Sequence, residues 1–418
     1  MPARTAEDTA ADRKSTRPRM GNAETAAALA ALLADGDVIF AAGTEADATA
    51  VARALAAAAP DATVVFLPDS DALLAQDAPA SPANIGLRNA ALARLDDLAA
   101  QSDRAPVALV TTGEALACAF PRPGAARDTM LTLATGDAAE DEAFVADLVA
   151  MGYVEDNRVD EPGEVALQGQ VVDIFPGQAE DPVRIEIEDG RIVQISRYDL
   201  IDQRTVEDVA DVTVARLTEL PLTDDSAALI DHLPDARIVL PRTAERRRAQ
   251  MLALADEIEG GEGRVRRRLL AEADWRDRLA GREIVTLPPG GEPPPRFVEG
   301  KAPLKAFAKA AKAAMADGER VVLLGAERDL RFLARRAPAV LGQDAREVES
   351  WAEVVAADAG SVLSLAMPCG RGFRRDGVLA VAAADLLGSR ARRDDTGRTG
   401  GPATLETVDI AIGDVVVH

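Results

Sequence analysis

The sequence of 418 residues has few aromatic side chains, two cysteines, two histidines and no long hydrophobic run. Because it has no apolar stretch of about 18 residues, the sequence predicts no membrane-spanning helix. Residues 1–21 lack the apolar core of a signal peptide, and their composition predicts a disordered tail. Cys118 and Cys369 lie far apart, and only His232 and His418 could join them, so no metal-ligand spacing exists. These absences predict a cytoplasmic protein in a reducing compartment, with no metal or cofactor.

Catalytic constellations are missing as well. So few histidines and cysteines leave no basis for a Ser/His/Asp or Cys/His nucleophile, and Asp and Glu are so abundant that pairing two as acid and base would be arbitrary. The net charge of −23 argues against a surface that binds nucleic acid throughout, because phosphate contacts need clustered Lys or Arg. Three arginine clusters are local exceptions, for which solvated helix faces or loops are the simpler interpretation and weak DNA binding the alternative. The clusters are Arg246 to Arg248, Arg264 with Arg266 to Arg268, and Arg371, Arg374, Arg375, Arg390, Arg392 and Arg393.

Residues 161–204 carry the clearest structural pattern. They predict three successive strands, over 165–175, 182–188 and 191–198. The pair Asp189-Gly190 between the last two predicts a hairpin, because a type I′ turn needs positive φ at both central residues. Strand alternation places one set of side chains on an apolar face and another on a charged face. The apolar set is Val183, Ile185 and Ile187, and the charged set is Arg184, Glu186 and Glu188. Such a sheet suits a protein-docking surface better than a catalytic pocket.

Short apolar strands alternate with helices on both sides of this segment, which predicts parallel sheets covered on both faces. A Pro- and Gly-rich stretch at 288–298 predicts a linker. The predicted organisation therefore has an α/β domain in two parts around an inserted module, followed by a second small α/β domain. Its boundaries are a tail at 1–21, the first domain at 22–120 and 211–287, the insert at 121–210, the linker at 288–298, the small domain at 299–412, and the start of a further domain at 413–418.

A nucleotide site would be expected after the first parallel strand, so that loop is informative. A phosphate loop needs glycines, a lysine and a Ser or Thr, which together wrap and neutralise the phosphates. Here Gly43 and Thr44 are followed by Glu45 and Asp47, which would occupy the favourable anion position at a helix N-terminus themselves. The sequence contains no GKT, GKS or helicase-type DExH box. This loop predicts an acid-capped helix rather than a nucleotide cradle, and no catalytic residue is assigned.

The pattern of residues 152–204 resembles that of the bacterial transcription-repair coupling factor family and of the module it shares with the repair protein UvrB. The matching positions are Gly152-Tyr153, Val159, Glu161 to Glu164, Gly169, Asp173 to Pro176, Pro182, Arg184 to Glu186, Asp199 and Gln203-Arg204. Weaker agreement extends over about nine-tenths of the chain. The resemblance implies a degenerate P-loop-type α/β domain with an inserted UvrA-binding-like module, and a non-catalytic scaffold in repair of transcribed DNA. It also implies RNA polymerase and DNA as partners through downstream domains.

In this family, UvrA contact depends on an Arg before the Gly of the first strand, an Arg opening the second, and a nearby aromatic. This chain has Gln168, Arg184 and Glu188 at those positions, so the resemblance implies a UvrA surface altered at two of three places. Arg197 and Tyr198 are candidates for substitute contacts, with Arg197 equally expected as a cross-strand partner of Glu186 or Glu188.

The chain ends at Gly413 to His418, where the family continues into a polymerase-binding domain and an ATP-driven motor, so a truncated product or fragment is expected. The alternatives to a scaffold are a helicase or translocase fragment that still binds ATP, and a weak DNA-binding module that uses the arginine clusters.

Overall fold

The computed structural model describes residues 20–72, 79–259 and 268–388. The predicted tail up to residue 19 and the predicted start of a further domain at 413–418 lie outside these ranges. The fold is mixed α/β, with parallel and antiparallel sheets, as predicted. Within the described ranges, no helix has the length and apolar character needed to cross a membrane.

Twelve α-helices lie in the described residues. They are α1 (Asn22–Leu33), α2 (Glu45–Ala58), α3 (Pro82–Ala99), α4 (Gly113–Ala117), α5 (Asp141–Ala150), α6 (Arg242–Glu259), α7 (Glu272–Leu279), α8 (Pro303–Ala316), α9 (Glu327–Ala334), α10 (Ala337–Leu341), α11 (Trp351–Ala356) and α12 (Ala383–Leu387). Local chemistry sets several of their starts. Thr44 and Ser81 cap α2 and α3 by accepting backbone N–H bonds, and Pro82 stands where a missing N–H costs nothing.

The strands form several sheets. They are β1 (Val38–Ala42), β2 (Thr63–Phe66), β3 (Val107–Thr112), β4 (Ala119–Phe120), β5 (Met130–Ala134), β6 (Val154–Glu155), β7 (Glu164–Gln168), β8 (Val171–Ile174), β9 (Val183–Glu188), β10 (Arg191–Tyr198), β11 (Thr205–Val209), β12 (Asp211–Ala215), β13 (Ala227–Ala228), β14 (Arg237–Val239), β15 (Ile284–Val285), β16 (Arg320–Leu324), β17 (Arg346–Val348), β18 (Val362–Leu365), β19 (Phe373–Arg375) and β20 (Val378–Ala382).

The described residues divide into two compact units, the first made of residues up to 131 and of 218–388, the second of residues 132–217. The first unit contains two five-stranded sheets. One has the order β15-β14-β1-β3-β2 with parallel pairing, and the other has the order β17-β18-β16-β20-β19 with an antiparallel edge at β19. Every residue of β1, β3 and β20 is buried, as expected for parallel strands covered by helices on both faces.

The two sheets of the first unit share a hydrophobic core. Phe40 of β1 and Ala26 of α1 belong to the same buried cluster as Val322 of β16, Trp351 and Phe373. The rings of Trp351 and Phe373 lie 5.5 Å apart between centroids. Because both sheets contribute to one core, the first unit behaves as a single packed body.

The segment predicted as a linker, 288–298, is held in the first unit by charged side chains. The buried carboxylate of Glu24 accepts hydrogen bonds from the Gly291 backbone N–H at 2.9 Å and from the Arg375 guanidinium at 2.8 Å. Arg371 donates to the Pro294 carbonyl at 3.0 Å. The segment therefore connects the two sheets as an ordered strap.

The second unit is built around a six-stranded sheet of order β11-β10-β9-β8-β7-β6. The predicted hairpin is confirmed: Asp189 and Gly190 have φ of 50° and 73°, and β9 pairs with β10 in antiparallel register. The predicted first strand over 165–175 was wrong, because it is two antiparallel strands, β7 and β8, joined by a turn at Gly169 with φ of 68°. The strand β11 was not predicted. The segment 211–217, predicted to return to the first domain, instead pairs as β12 with β5.

Candidate functional site

The two faces of the six-stranded sheet differ as the alternation predicted. Val183, Ile185 and Ile187 are buried, whereas Arg184 and Glu186 are half-buried and Glu188 is exposed. The residues that alternation and register place on the same side as Arg184 form what we call the polar face: Gln168, Arg184, Glu186, Glu188 and Gln194.

Cross-strand register defines the dimensions of the polar face. Gln168 lies opposite Val171, which lies opposite Glu186, which in turn lies opposite Gln194. With about 4.8 Å between strands, Gln168 and Glu186 are about 10 Å apart, and Glu188 lies about 13 Å along β9 from Arg184. Gln168, Arg184 and Glu188, the three positions at which the resemblance implied partner contact, therefore lie on one surface.

Arg184 is already engaged inside the sheet. Its Nε and Nη2 donate to the two carboxylate oxygens of Asp173, each at 2.8 Å, and Nη2 also donates to Gln203 at 3.3 Å. The Asp173 side chain is 6% exposed and that of Arg184 is 28% exposed. The hydrogen bonds to Asp173 raise the pKa of Arg184 above its already high usual value. Arg184 therefore stabilises the sheet while presenting only part of its guanidinium to a partner.

The structure does not place Tyr198 and Arg197 as the sequence suggested. Tyr198 is 1% exposed, with its ring 4.6 Å below the Arg184 guanidinium, and this burial raises the pKa of its hydroxyl. Arg197 lies on the opposite face of the sheet, where it pairs with Glu207 at 2.6 Å. The expected pairing of Arg197 with Glu186 or Glu188 was wrong, because strand alternation turns Arg197 away from both.

Sequence reasoning missed Asp173 and Gln203, which hold Arg184 in place. Gln203 adopts φ of 58° in the turn between β10 and β11, where Asp199 accepts the backbone N–H of Ile201 at 2.8 Å. Asp173 and Gln203 both occur among the positions of the family resemblance, which was the available signal. The turn also leaves Ile201 90% exposed, an apolar side chain at one end of the sheet.

At the carboxyl end of the first sheet, the loop after β1 folds as the acidic residues predicted. Gly43 and Thr44 follow β1, Thr44 Oγ1 accepts the Asp47 N–H at 3.2 Å, and Glu45 and Asp47 lie in the first turn of α2. Glu45 accepts the Asp69 N–H at 2.9 Å. The helix N-terminus is therefore occupied by the chain's own carboxylates and hydroxyl.

Asp69 adds a third carboxylate at this edge of the sheet. It accepts hydrogen bonds from the Thr112 hydroxyl and from the Ala115 N–H, the latter at 3.0 Å. Burial, reinforced by the charges of Glu114 and Glu45, raises the pKa of Asp69 to about 6. An anionic ligand would meet a negative potential here.

The described arginines of the three clusters mostly serve internal ion pairs. Arg248 is 1% exposed and bonds to Glu245 and Glu272 under the ring of Trp275. Carboxylates also pair with Arg247, Arg268, Arg371, Arg374 and Arg375. Arg264, Arg266, Arg267, Arg390, Arg392 and Arg393 lie outside the described residues. Among the described part, these clusters do not form a free phosphate-binding surface.

Comparison with known protein families indicates what kind of domain the second unit resembles. Residues 131–219 match the family model of the UvrB interaction domain. That range contains the described part of the second unit, 132–217, and thus the sheet with its polar face.

The similar curated proteins are transcription-repair-coupling factors. The chain is 27% identical over 168 residues to that of Bacillus subtilis, 34% over 109 residues to that of Staphylococcus haemolyticus, and 33% over 105 residues to that of a Staphylococcus aureus strain. The aligned parts cover 40%, 26% and 25% of this chain but only 14%, 9% and 9% of those relatives. The resemblance predicted from the sequence is confirmed over this part, and the chain matches about one seventh or less of the relatives' length.

Proposed function

We propose that this chain is a non-catalytic interaction scaffold in transcription-repair coupling, whose second unit recruits the excision-repair protein UvrA to stalled RNA polymerase. The observation that carries the proposal is the match to the UvrB interaction domain over residues 131–219, which coincides with the unit that holds the polar face. Translocation on DNA would be supplied by a motor outside these residues, since the chain has neither a phosphate loop nor a DExH box.

One half of the polar face is covered by other residues and the other half is open. This division supports a docking role for the open half. Val159, Ala166 and Phe175 form a small buried cluster with Leu200, which covers the half next to Asp173. Gln168, Glu188 and Gln194 are exposed on the other half. A rigid, half-open sheet face of this kind binds without a large ordering cost.

The residues of the open half predict modest affinity. Arginine and aromatic anchors dominate interface energies, and truncating one costs about 2 kcal/mol or more. Gln168 and Glu188 lack these properties, and Glu188 adds a charge that must be desolvated on binding. We expect UvrA binding to be weaker than a face with arginine and an aromatic residue at these positions would give.

Equilibrium binding of purified UvrA tests this function. Gln168→Arg combined with Glu188→Phe should tighten binding by about tenfold or more, because each change restores an anchor. Arg197→Ala, on the opposite face of the same sheet, is the matched control and should bind as the native chain does. Absence of UvrA binding by the native chain and by the double variant would refute the proposed recruitment. Equal gains from the double variant and the control would refute the assignment to the polar face.

We also infer that the first sheet does not bind a nucleoside triphosphate. Glu45, Asp47 and Asp69 fill the region where phosphates would lie, and no lysine accompanies them. A calorimetric titration with ATP should show no binding near micromolar concentration. Measurable micromolar affinity, lost in a Thr44→Ala variant, would instead favour a nucleotide-binding fragment.

A further inference from the structure

The lysines of this chain are concentrated on helix α8 and the residues just before it. Only five of the 418 residues are lysines, and four of them stand at positions 301, 305, 309 and 312. Residues 301–341 carry nine basic and four acidic side chains, a local net charge of +5 in a chain of net charge −23. This local reversal of sign occurs in the first unit, on the helical layer of its second sheet.

Helical geometry points the lysines of α8 outward. Phe307, Ala311 and Ala314 are buried, and at 100° per residue they define the inner side of the helix. Lys305, Lys309 and Lys312 fall on the opposite side and are exposed. They form a row about 10 Å long at 1.5 Å rise per residue.

Helix α9 adds further cations beyond the short helix α10, which contacts both α8 and α9. Its inner residues Leu330 and Leu333 belong to the same buried cluster as Phe307, so α8 and α9 pack on one side of the second sheet. Its outer side carries exposed arginines. We define the basic face by six residues: Lys305, Lys309, Lys312, Arg328, Arg331 and Arg335.

The cations of the basic face are not neutralised by the described part of the chain. None of the six side chains forms an ion pair with another described residue, in contrast to the arginines that pair with Glu24, Glu319 and Asp385. The first turn of α8 has no acidic residue, although a negative charge there would stabilise the helix. Like charges at Lys305 and Lys309, four residues apart, also disfavour the helix. The positive row therefore opposes local stability, and an anionic partner would relieve that cost.

The chemistry of the face favours phosphates over a protein partner. Between its lysines, α8 exposes alanines such as Ala306 and Ala313, and lysine is depleted at protein interfaces whereas Trp, Tyr and Arg supply their anchors. The described residues around the basic face also present no open aromatic ring on which a base could stack. The half-exposed ring of Phe332 is covered by the Arg336 guanidinium, 3.6 Å from its centroid, and single-strand binders need open aromatic platforms.

We propose that the basic face binds the phosphate backbone of duplex nucleic acid without sequence preference. This site lies in a different part of the fold from the polar face and does not depend on the proposed recruitment of UvrA. Each phosphate that a duplex binder neutralises contributes about −0.9 to the slope of log affinity against log salt concentration. Six contacts would give a slope of about −5.

Fluorescence anisotropy with a labelled random duplex, measured on the full chain from low to moderate salt, tests this site. The variant Lys305→Gln, Lys309→Gln, Lys312→Gln should bind about tenfold or more weakly at low salt and should reduce the slope by about 3. A second variant, Arg331→Gln with Arg335→Gln, removes charge from α9 and should reduce it by about 2. Thermal melting of each variant verifies the fold.

The matched control removes three exposed arginines from helices of the first sheet, Arg53→Gln, Arg94→Gln and Arg242→Gln, and should keep native affinity within about twofold. No duplex binding at low salt would overturn the proposal. An equal loss of duplex affinity in the control would also overturn it, because binding would then depend on total charge and not on the basic face. Binding of an acidic polypeptide in place of duplex, abolished by the lysine variant, would assign the face to a protein partner and overturn it as well.

Discussion

Removing Arg184 should destabilise the second unit, because its partner Asp173 is buried. The two side chains form a bidentate pair with both contacts at 2.8 Å, and Asp173 is 6% exposed. Removing one member of a fully buried pair costs about 3–5 kcal/mol, since the other charge is left without a partner. Water reaches the partly exposed guanidinium, so the lower end applies to Arg184→Ala, about 3 kcal/mol including the lost contact with Tyr198.

Urea unfolding followed by tyrosine absorbance measures this loss. The chain has two tyrosines, Tyr153 and Tyr198, and both lie in the second unit, so the signal reports on that unit. Glu188→Ala is the control, since an exposed side chain on the same strand should change stability by less than about 0.5 kcal/mol.

A variant without either charge distinguishes the cost of leaving the Asp173 carboxylate unpaired from the cost of lost side-chain packing. Arg184→Met with Asp173→Leu replaces both charges by apolar groups and should recover at least half of the loss. An Arg184→Ala midpoint equal to that of Glu188→Ala would refute the reasoning. In that case Arg184→Ala could also be used to test partner binding. If the ion pair does stabilise the unit, the variant alters the fold and cannot report on binding alone.

Three further predictions concern the first unit. Glu24→Ala should cost about 3 kcal/mol, measured by tryptophan emission in urea, because it leaves the largely buried Arg375 unpaired; a loss below about 1 kcal/mol would contradict the strap between the sheets. Gly113→Ala should lower thermal stability strongly, since a Cβ there would lie 2.0 Å from the carbonyl oxygen of Ala244; an unchanged melting temperature would contradict that contact. Burial raises the pKa of Asp69 from 3.8 to about 6, so the folded chain keeps a proton that the unfolded chain releases, and this group's contribution to stability falls as pH rises through that window. Asp69→Asn should therefore be about 3 kcal/mol more stable than native protein at about pH 8 and nearly equal at about pH 4 in paired unfolding titrations; a difference independent of pH would contradict the raised pKa.

The second unit shows what sequence patterns can and cannot predict. Alternation in β9 and the pair Asp189-Gly190 predicted the hairpin, because both act between neighbouring residues. The turn at Gly169 was missed because a single glycine between Gln168 and Gln170 is a weaker hairpin signal than an Asn-Gly or Asp-Gly pair. The ion pair of Arg184 with Asp173 depends on the register between β8 and β9, which no local pattern specifies.

The first unit repeats this lesson over longer separations. Its alternation of helices and parallel strands followed from short apolar runs. The composition of residues 288–298 predicted a linker, whereas Glu24 holds that segment from 267 positions away in sequence. The acidic start of α2 was predictable because the carboxylates and the helix are adjacent. The contribution of Asp69 was not, since it reaches the same place from another strand.

The most direct test of the central claim is hydrogen–deuterium exchange of the full chain with and without saturating UvrA. UvrA should protect the strands that carry the polar face, β7 to β10, centred on residues 168–188, and should leave α8 and α9 unprotected. Protection confined to the first unit, with the exchange of residues 164–198 unchanged, would contradict the claim that this sheet is the docking surface.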